Sequence, residues 1–165
     1  MKKALQALNG LERDGVIGRY AIGGAMGATF YVEPFTTFDL DVFVVLPEAG
    51  GLVTLAPLYL ELAQRGYPAR EECVMVEGIP VPLPARTPLL DEALAQARDV
   101  PYEDVPTRVF GPEHLVAVAV QAGRAKDRQR VQMFLDAGVL DRKRLDEILS
   151  RQGLMERFSQ WTRNA

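Results

Sequence analysis

The chain has 165 residues, of which 48% are hydrophobic and 25% are charged, so it is long enough for one globular domain with an apolar core and short for two. Its formal net charge of −3 argues against a protein that coats nucleic acid through bulk positive charge. The one cysteine, Cys73, excludes an internal disulfide and a cysteine-rich zinc site, and the one histidine, His114, excludes a multi-histidine metal site within the chain.

The first part of the chain predicts two helices separated by a strand and a glycine pair. Leucines recur at near-helical spacing through residues 2–14, and residues 19–22 form a short apolar strand candidate. Gly23 and Gly24 follow, and the small residues of 25–31 favour a short helix. We therefore expect a strand, a glycine turn and a short helix in succession.

Residues 38–46 form the strongest strand candidate in the chain. Their run of apolar residues predicts a central strand that is buried on both faces. Asp39 and Asp41 are the anomaly in this strand, because carboxylates are rarely buried without a partner.

After this strand, the sequence predicts helices alternating with strands and then a series of helices. We expect a tight turn at Glu77-Gly78, an edge position for the strand that carries Pro82, and a helix N-cap at Thr87. In chain order, the sequence predicts a helix over 52–65, strands over 69–76 and 79–83, a helix over 89–97, an extended piece over 105–110, and helices over 112–122, 124–137, 141–151 and 154–162.

This order predicts an α/β (α+β) fold with a small mixed β-sheet flanked by helices. Residues 1–110 would form the α/β half of a single domain, and residues 111–165 a helical tail packed on it. No stretch approaches the ~20 apolar residues of a membrane span, and the N-terminus lacks the long apolar run of a secretory signal. We therefore expect a cytoplasmic protein with no membrane partner.

Asp39 and Asp41 are candidate metal ligands. Side chains alternate along a strand, so residues two apart point to the same face. Two carboxylates standing together repel each other, and a hard divalent cation such as Mg²⁺ or Mn²⁺ would reconcile their charges. The alternative is that these residues face solvent at the end of the strand or pair with arginines.

Gly23 and Gly24 are candidate phosphate contacts. Glycines let a phosphate approach the backbone closely, and the start of the following helix offers free amide groups. The alternative is an ordinary turn from a strand to a helix. The segment is neither a P-loop, since no Lys-Ser/Thr pair follows at the right distance, nor a dinucleotide-binding G-x-G-x-x-G.

Together, these residues form the pattern Ile22-Gly23-Gly24, then fourteen residues, then Asp39-Leu40-Asp41-Val42. This pattern resembles the signature of nucleotidyltransferases of the polymerase-beta superfamily. Residues 21–44 look most like the minimal nucleotidyltransferases related to abortive-infection, type IV toxin–antitoxin proteins, in which a threonine precedes the Asp-x-Asp. Thr36 and Thr37 could fill that place here.

A second segment, Arg124-Ala125-Lys126-Asp127, resembles the Arg-x-Lys-Asp helix start of the same group. The resemblance implies that Lys126 reaches the nucleotide phosphates, and Asp127 could orient Lys126 or simply favour the helix N-terminus. The alternative for Lys126 and the neighbouring arginines is a solvated, charged helix face.

The resemblance implies transfer of a nucleoside monophosphate from an NTP to the hydroxyl of an RNA, a protein or a small molecule, with Mg²⁺ or Mn²⁺ as cofactor. It also implies a cognate antitoxin as a candidate partner. The implied catalytic residues are Asp39, Asp41 and Lys126, with Asp39 and Asp41 as metal ligands. The implied nucleotide-binding residues are Gly23, Gly24, Thr37, Lys126 and Asp127.

The pattern departs from the family at the third carboxylate, which commonly serves as the base for the incoming hydroxyl. Its place corresponds to Val81-Pro82-Leu83, which contains no acid. Glu77, Asp127 or the substrate would have to fill that role. Two alternatives therefore stay open: a catalytically silent nucleotide-binding module of the same fold, and an interaction protein with no nucleotide site.

Overall fold

A computed structural model describes residues 1–33, 41–45, 55–70, 73–82 and 87–163. The helices in these ranges are α1 (Lys2–Arg13), α2 (Gly24–Ala28), α3 (Leu55–Gln64), α4 (Pro88–Ala95), α5 (Pro112–Ala122), α6 (Ala125–Ala137), α7 (Arg142–Arg151) and α8 (Met155–Thr162). The strands are β1 (Tyr20–Ile22), β2 (Val42–Val44), β3 (Ala69–Arg70), β4 (Cys73–Val76), β5 (Ile79–Pro82), β6 (Arg98–Tyr102) and β7 (Val105–Val109).

The strands form two sheets in the described part of the chain. The larger sheet has the order β2-β1-β7-β6 and is mixed, because β1 runs antiparallel to β2 and parallel to β7. The smaller sheet, β3-β4-β5, is antiparallel. The predicted α/β class, with a small mixed sheet flanked by helices, is confirmed.

Strand β1 separates two apolar cores. Tyr20 and Ile22 belong to a core with α1, whereas Ala21 belongs to a core built around α5, as the alternation of side chains along a strand requires. All three residues are fully buried. The end of β1 is therefore packed on both of its faces, and this packing fixes the position of the turn that follows.

Helix α5 is the centre of the second core. Nearly all of its residues are buried, and it packs against α2, α4, α6 and α7. Helix α6 begins three residues after α5 ends, and Gly123 between them has a left-handed φ of 73°. Helix α5 therefore contacts both the short helix after the glycine pair and the helix that carries Lys126. No helix in the described ranges is long and apolar enough to cross a membrane.

Two helices begin with a side chain that caps their first turn. The Thr87 hydroxyl accepts a hydrogen bond from the Leu90 N–H at 3.2 Å, with Pro88 at the first position of α4. The Asp141 carboxylate accepts one from the Arg144 N–H at 3.1 Å. The predicted N-cap at Thr87 is confirmed, and Asp141 caps α7 in the same way.

Three strand predictions need correction. The sequence predicts one strand over residues 69–76, but β3 and β4 pair antiparallel with Ala69 opposite Val74, so the chain reverses within this stretch. Strand β6 is not predicted, because most of its residues are exposed and it has no apolar alternation. Strand β2 is predicted to be central, yet it ends the order of the described sheet. Among the residues that the structure describes, β2 also contacts α4 and β5.

Candidate functional site

The glycine pair makes a tight turn between β1 and α2. The Gly23 N–H donates a hydrogen bond to the Asp41 carbonyl oxygen at 2.8 Å, which extends the pairing of β1 with β2 by one step. Gly24 then has a φ of +52°, in the left-handed region that side chains disfavour. The turn therefore lies directly beside Asp41.

Both glycines are needed because neighbouring side chains occupy the space of a Cβ atom. A Cβ on Gly24 would lie 1.7 Å from Asp41 Oδ2, and a Cβ on Gly23 would lie 2.4 Å from Phe43 Cε2. Real Cβ atoms do not approach other heavy atoms so closely. The Asp41 carboxylate thus occupies the space beside Gly24, and the Phe43 ring occupies the space beside Gly23.

The carboxylate of Asp41 has few partners. It is half-buried, and its Oδ2 accepts a long hydrogen bond of 3.4 Å from the Ala25 N–H. Within the described ranges, no arginine, lysine or histidine lies within ion-pair distance of it. A half-buried carboxylate with no basic partner among the described residues fits a divalent metal, whose preferred ligands are carboxylate oxygens.

Two of the predicted site residues, Thr37 and Asp39, lie outside the described residues. Whether Asp39 and Asp41 project from the same face of a strand is therefore a prediction from strand alternation alone. Among the residues that the structure does describe, no group of three or more His, Cys, Asp or Glu side chains is placed to hold a metal ion. Asp41 is the described member of the predicted metal pair.

The start of α6 carries a buried carboxylate bonded to two arginines. Asp127 is fully buried. Arg124 donates two hydrogen bonds to its carboxylate, from Nε to Oδ2 at 2.6 Å and from Nη2 to Oδ1 at 3.2 Å. Arg130 donates a third bond, from Nη1 to Oδ1 at 3.0 Å. The carboxylate of Asp127 thereby accepts three hydrogen bonds from two arginines close to it in sequence.

The guanidinium of Arg124 is influenced by two carboxylates. Its pKa is raised above its usual value, chiefly by the hydrogen bonds to Asp127 and to a smaller extent by the negative charge of Asp41.

Lys126 is exposed at the second position of α6. In the described part of the chain its ammonium group contacts no acid, and Asp127 bonds Arg124 and Arg130 instead. The expected orientation of Lys126 by Asp127 is thus absent from this structure. Lys126 is nonetheless two residues from Arg124 and on the same first helical turn.

The candidates for a third acid lie in different surroundings. Strand β5 contacts β2, and its Pro82 pairs with Cys73. Glu77 is exposed in the tight turn between β4 and β5, with a φ of +50°. Asp127 is interior and accepts three hydrogen bonds from arginines. None of these described residues places a free carboxylate beside Asp41.

A second polar cluster, which the sequence did not indicate, lies between α4, α5 and α7. His114 is fully buried, and its Nε2 lies 3.4 Å from Glu92 Oε1, which also accepts a bond from Arg151 at 2.7 Å. Glu113 is 2% exposed and accepts a hydrogen bond from the Asp141 N–H at 3.0 Å. Burial is the main cause that lowers the pKa of His114, so the imidazole is neutral at pH 7.

A scan against models of protein families finds no match for this chain. A search of curated proteins finds no relative either. Solved structures do match: an antigenic nucleotidyltransferase-like protein from Paracoccidioides brasiliensis has a TM-score of 0.61 and 12% identity, over 99% of this chain and 90% of its own. The solution structure of the antibiotic-resistance factor ANT(2'')-Ia has a TM-score of 0.55 and 11% identity, over 98% of this chain and 94% of its own. The chain therefore has a nucleotidyltransferase-like fold.

Proposed function

We propose that the protein binds a nucleoside triphosphate together with Mg²⁺ or Mn²⁺ and transfers its nucleoside monophosphate to an acceptor hydroxyl. One observation carries this proposal. The backbone at Gly24 is packed so closely on the Asp41 carboxylate that even a methyl group is excluded, at the end of a strand in a nucleotidyltransferase-like fold. Such a turn brings backbone amides and a metal-binding oxygen to the same phosphate.

The residues have separate roles in this proposal. Asp39 and Asp41 would hold the cation, which when bound would neutralise charge on the phosphates and lower the pKa of the attacking hydroxyl. Gly23 and Gly24 would hold the Asp41 carboxylate against the turn, where the triphosphate would bind beside it, and Thr37 and Lys126 would contact the phosphates. The Asp41 carboxylate accepts a hydrogen bond from the Ala25 N–H at 3.4 Å, so it lies at the start of α2.

The acceptor would be an RNA, a protein or a small molecule with a free hydroxyl group. The fold match to an antibiotic-resistance factor supports the small-molecule class. The resemblance of residues 21–44 to toxin-type nucleotidyltransferases supports the macromolecular classes, and with them a cognate antitoxin as a partner. A screen of acceptors from all three classes, with release of pyrophosphate as the readout, separates them.

Calorimetric titration with each of the four NTPs and Mg²⁺ tests the binding step. The Asp41→Asn variant keeps the shape of the side chain and removes its charge, so we expect at least ~10-fold weaker binding, equivalent to ~1.4 kcal/mol. Asp136→Asn is the matched control, because Asp136 is exposed on α6 and bonds only Gln132 among the described residues. Unchanged NTP binding by Asp41→Asn would overturn the proposal.

A catalytically silent nucleotide-binding module is the second candidate. It is favoured by one specific feature: the described residues offer no free third carboxylate beside Asp41, since Glu77 lies in an exposed turn and Asp127 is bonded to arginines. This candidate predicts Asp41-dependent NTP binding without release of pyrophosphate for any acceptor. An interaction protein with no nucleotide site would show no change in melting temperature with any NTP and metal.

A further inference from the structure

The first turn of α5 contains two buried side chains whose hydrogen bonding is incomplete. Glu113 is 2% exposed, and its Oε2 is buried without a hydrogen-bond partner among the described residues. The Arg144 Nε lies 4.0 Å from this oxygen, which is too far for a hydrogen bond. His114 is fully buried, and its Nδ1 also has no partner in the described part of the chain. Buried polar atoms of this kind destabilise a fold unless something bonds them.

The tautomer of His114 follows from its other ring nitrogen. Nε2 lies 3.4 Å from Glu92 Oε1, and this carboxylate, which pairs with Arg151, accepts hydrogen bonds. Nε2 therefore carries the proton of the neutral imidazole, and Nδ1 keeps its lone pair. Glu113 Oε2 and His114 Nδ1 are thus both hydrogen-bond acceptors.

These two acceptors face a common space beside Gly111. A Cβ atom on Gly111 would lie 3.6 Å from Glu113 Oε2 and 3.7 Å from His114 Nδ1. The Arg98 Nε, which is a donor, would lie 3.9 Å from the same Cβ. Two acceptors and one donor, from three different side chains, therefore surround the open side of one glycine.

The chemistry of these three atoms selects their ligand. A group that bonds all three must donate two hydrogen bonds and accept one. A metal or ammonium cation accepts none and would be repelled by Arg98, and a simple anion donates none and would be repelled by Glu113. The hydroxyl group of a larger ligand donates only one. A water molecule donates two and accepts up to two, and buried waters typically make about three hydrogen bonds.

We propose that one ordered water molecule binds in front of Gly111, donates to Glu113 Oε2 and His114 Nδ1, and accepts from the Arg98 N–H. Arg98 lies opposite Val109 where β6 pairs with β7, and the two acceptors belong to the first turn of α5. The water therefore joins strand β6 to the start of the helix at the centre of the second core. This inference does not depend on the proposed function.

Replacement of Gly111 by alanine tests the proposal through the sign of its effect on stability. Gly111 has a φ of −58° and a ψ of 152°, which alanine adopts without strain, and the new methyl group meets its neighbours at ordinary contact distances. By itself such a change raises stability, because it restricts the unfolded chain. With the water in place, the methyl group displaces it and leaves two buried acceptors unpaired, so we expect the urea midpoint to fall.

Gly10→Ala is the matched control. Gly10 lies inside α1, and a Cβ there would lie 3.9 Å from Arg13 Nη2, in ordinary contact. We expect the urea midpoint of Gly10→Ala to rise, as for glycine replaced by alanine in a helix interior. A rise for Gly111→Ala as well would overturn the proposal.

Nitrogen-15 NMR of the imidazole tests the same site in the parent protein. His114 is the one histidine of the chain, so its ring signals are unambiguous. At pH 7 we expect the proton on Nε2 and an Nδ1 signal shifted upfield from that of a free imine nitrogen, because Nδ1 accepts a hydrogen bond. In Gly111→Ala the Nδ1 signal should move back towards the free value. A proton on Nδ1 in the parent, or an Nδ1 signal at the free value, would refute the water.

Two further measurements on the parent identify the ligand. A crystal structure should show a single density peak within about 3 Å of all three polar atoms, and a larger group or no peak would contradict the proposal. EDTA should leave the His114 signals unchanged, whereas a shift would identify a metal ion and overturn the assignment to water. Neither measurement involves a nucleotide, so their outcomes are independent of NTP binding at Asp41.

Discussion

Replacement of Gly24 by alanine tests the link between the glycine turn and Asp41. The new Cβ would lie 1.7 Å from Asp41 Oδ2 and 2.7 Å from Asp41 Cβ, so rotation of the carboxylate alone does not relieve the overlap. Ordinary contact needs a separation of about 3.5 Å, so β2 or α2 must shift. The φ of +52° at this position adds a conformational cost of about 1–2 kcal/mol for any residue with a Cβ.

Gly138→Ala is the control that separates these two costs. Gly138 has a φ of +64°, and no heavy atom lies within 4 Å of the place where its Cβ would stand, so alanine there meets the conformational cost alone. We expect Gly138→Ala to lower the free energy of unfolding by about 1–2 kcal/mol. Gly24→Ala adds the cost of overpacking, about 1–3 kcal/mol more. Each kcal/mol corresponds to about 2–4 °C in melting temperature for a chain of this size.

Urea unfolding and NTP titration of both variants provide the assay. We expect Gly24→Ala to lose more stability than Gly138→Ala and also to lose NTP–Mg²⁺ binding, because Asp41 is displaced. Gly138→Ala keeps the parent's NTP affinity. Equal stability losses for the two variants, with parental NTP binding by Gly24→Ala, would refute the reasoning that the turn is built against Asp41.

Three further predictions concern stability. Burial lowers the pKa of His114 below its unfolded value of ~6.5, so the stability that the neutral imidazole contributes is complete above that pH and is lost as the pH falls below it. Urea unfolding from pH 7.5 to 5 should show this loss. A His114→Gln variant whose stability falls as steeply over the same range would contradict the prediction. Thr87→Ala removes the cap of α4 and should cost about 1 kcal/mol, whereas no change in the urea midpoint would argue against the cap. Leu149→Ala opens a cavity in the α5 core and should cost about 2–5 kcal/mol, measured in the same way, and a cost below about 1 kcal/mol would mean that the core can collapse around it.

The sequence predicted the class of fold because its strongest signals are local. Helical spacing in residues 2–14, the Thr87 cap and the glycine pair each act within a few residues, and each recurs in the structure. Strand β6 was missed because it is mostly exposed and contains Pro101, so it lacks the apolar alternation that marks a strand. The position of β6 in the sheet depends on its pairing with β7, and the residues of β6 alone do not indicate that pairing.

The site was predictable in its residue types and less so in its contacts. The spacing of Gly23, Gly24 and Asp41 suggested that the backbone would lie near a ligand, and the structure shows that the closest group is Asp41 itself. The burial of Asp127 could not be read from its position in a charged helix start. A carboxylate three residues from two arginines can be exposed or interior, and only packing against the rest of the domain decides.

Locating bound Mn²⁺ by NMR tests most directly the central claim that a metal and a nucleotide bind at the glycine turn. Mn²⁺ broadens the amide NMR signals of nearby residues, so titration of the labelled protein with an NTP and Mn²⁺ maps the bound metal. A site at the glycine turn predicts selective broadening at Gly24, Ala25 and Asp41 in the parent protein and its loss in Asp41→Asn. Broadening centred elsewhere in the domain, or equal broadening in both proteins, would contradict a metal–nucleotide site at this turn.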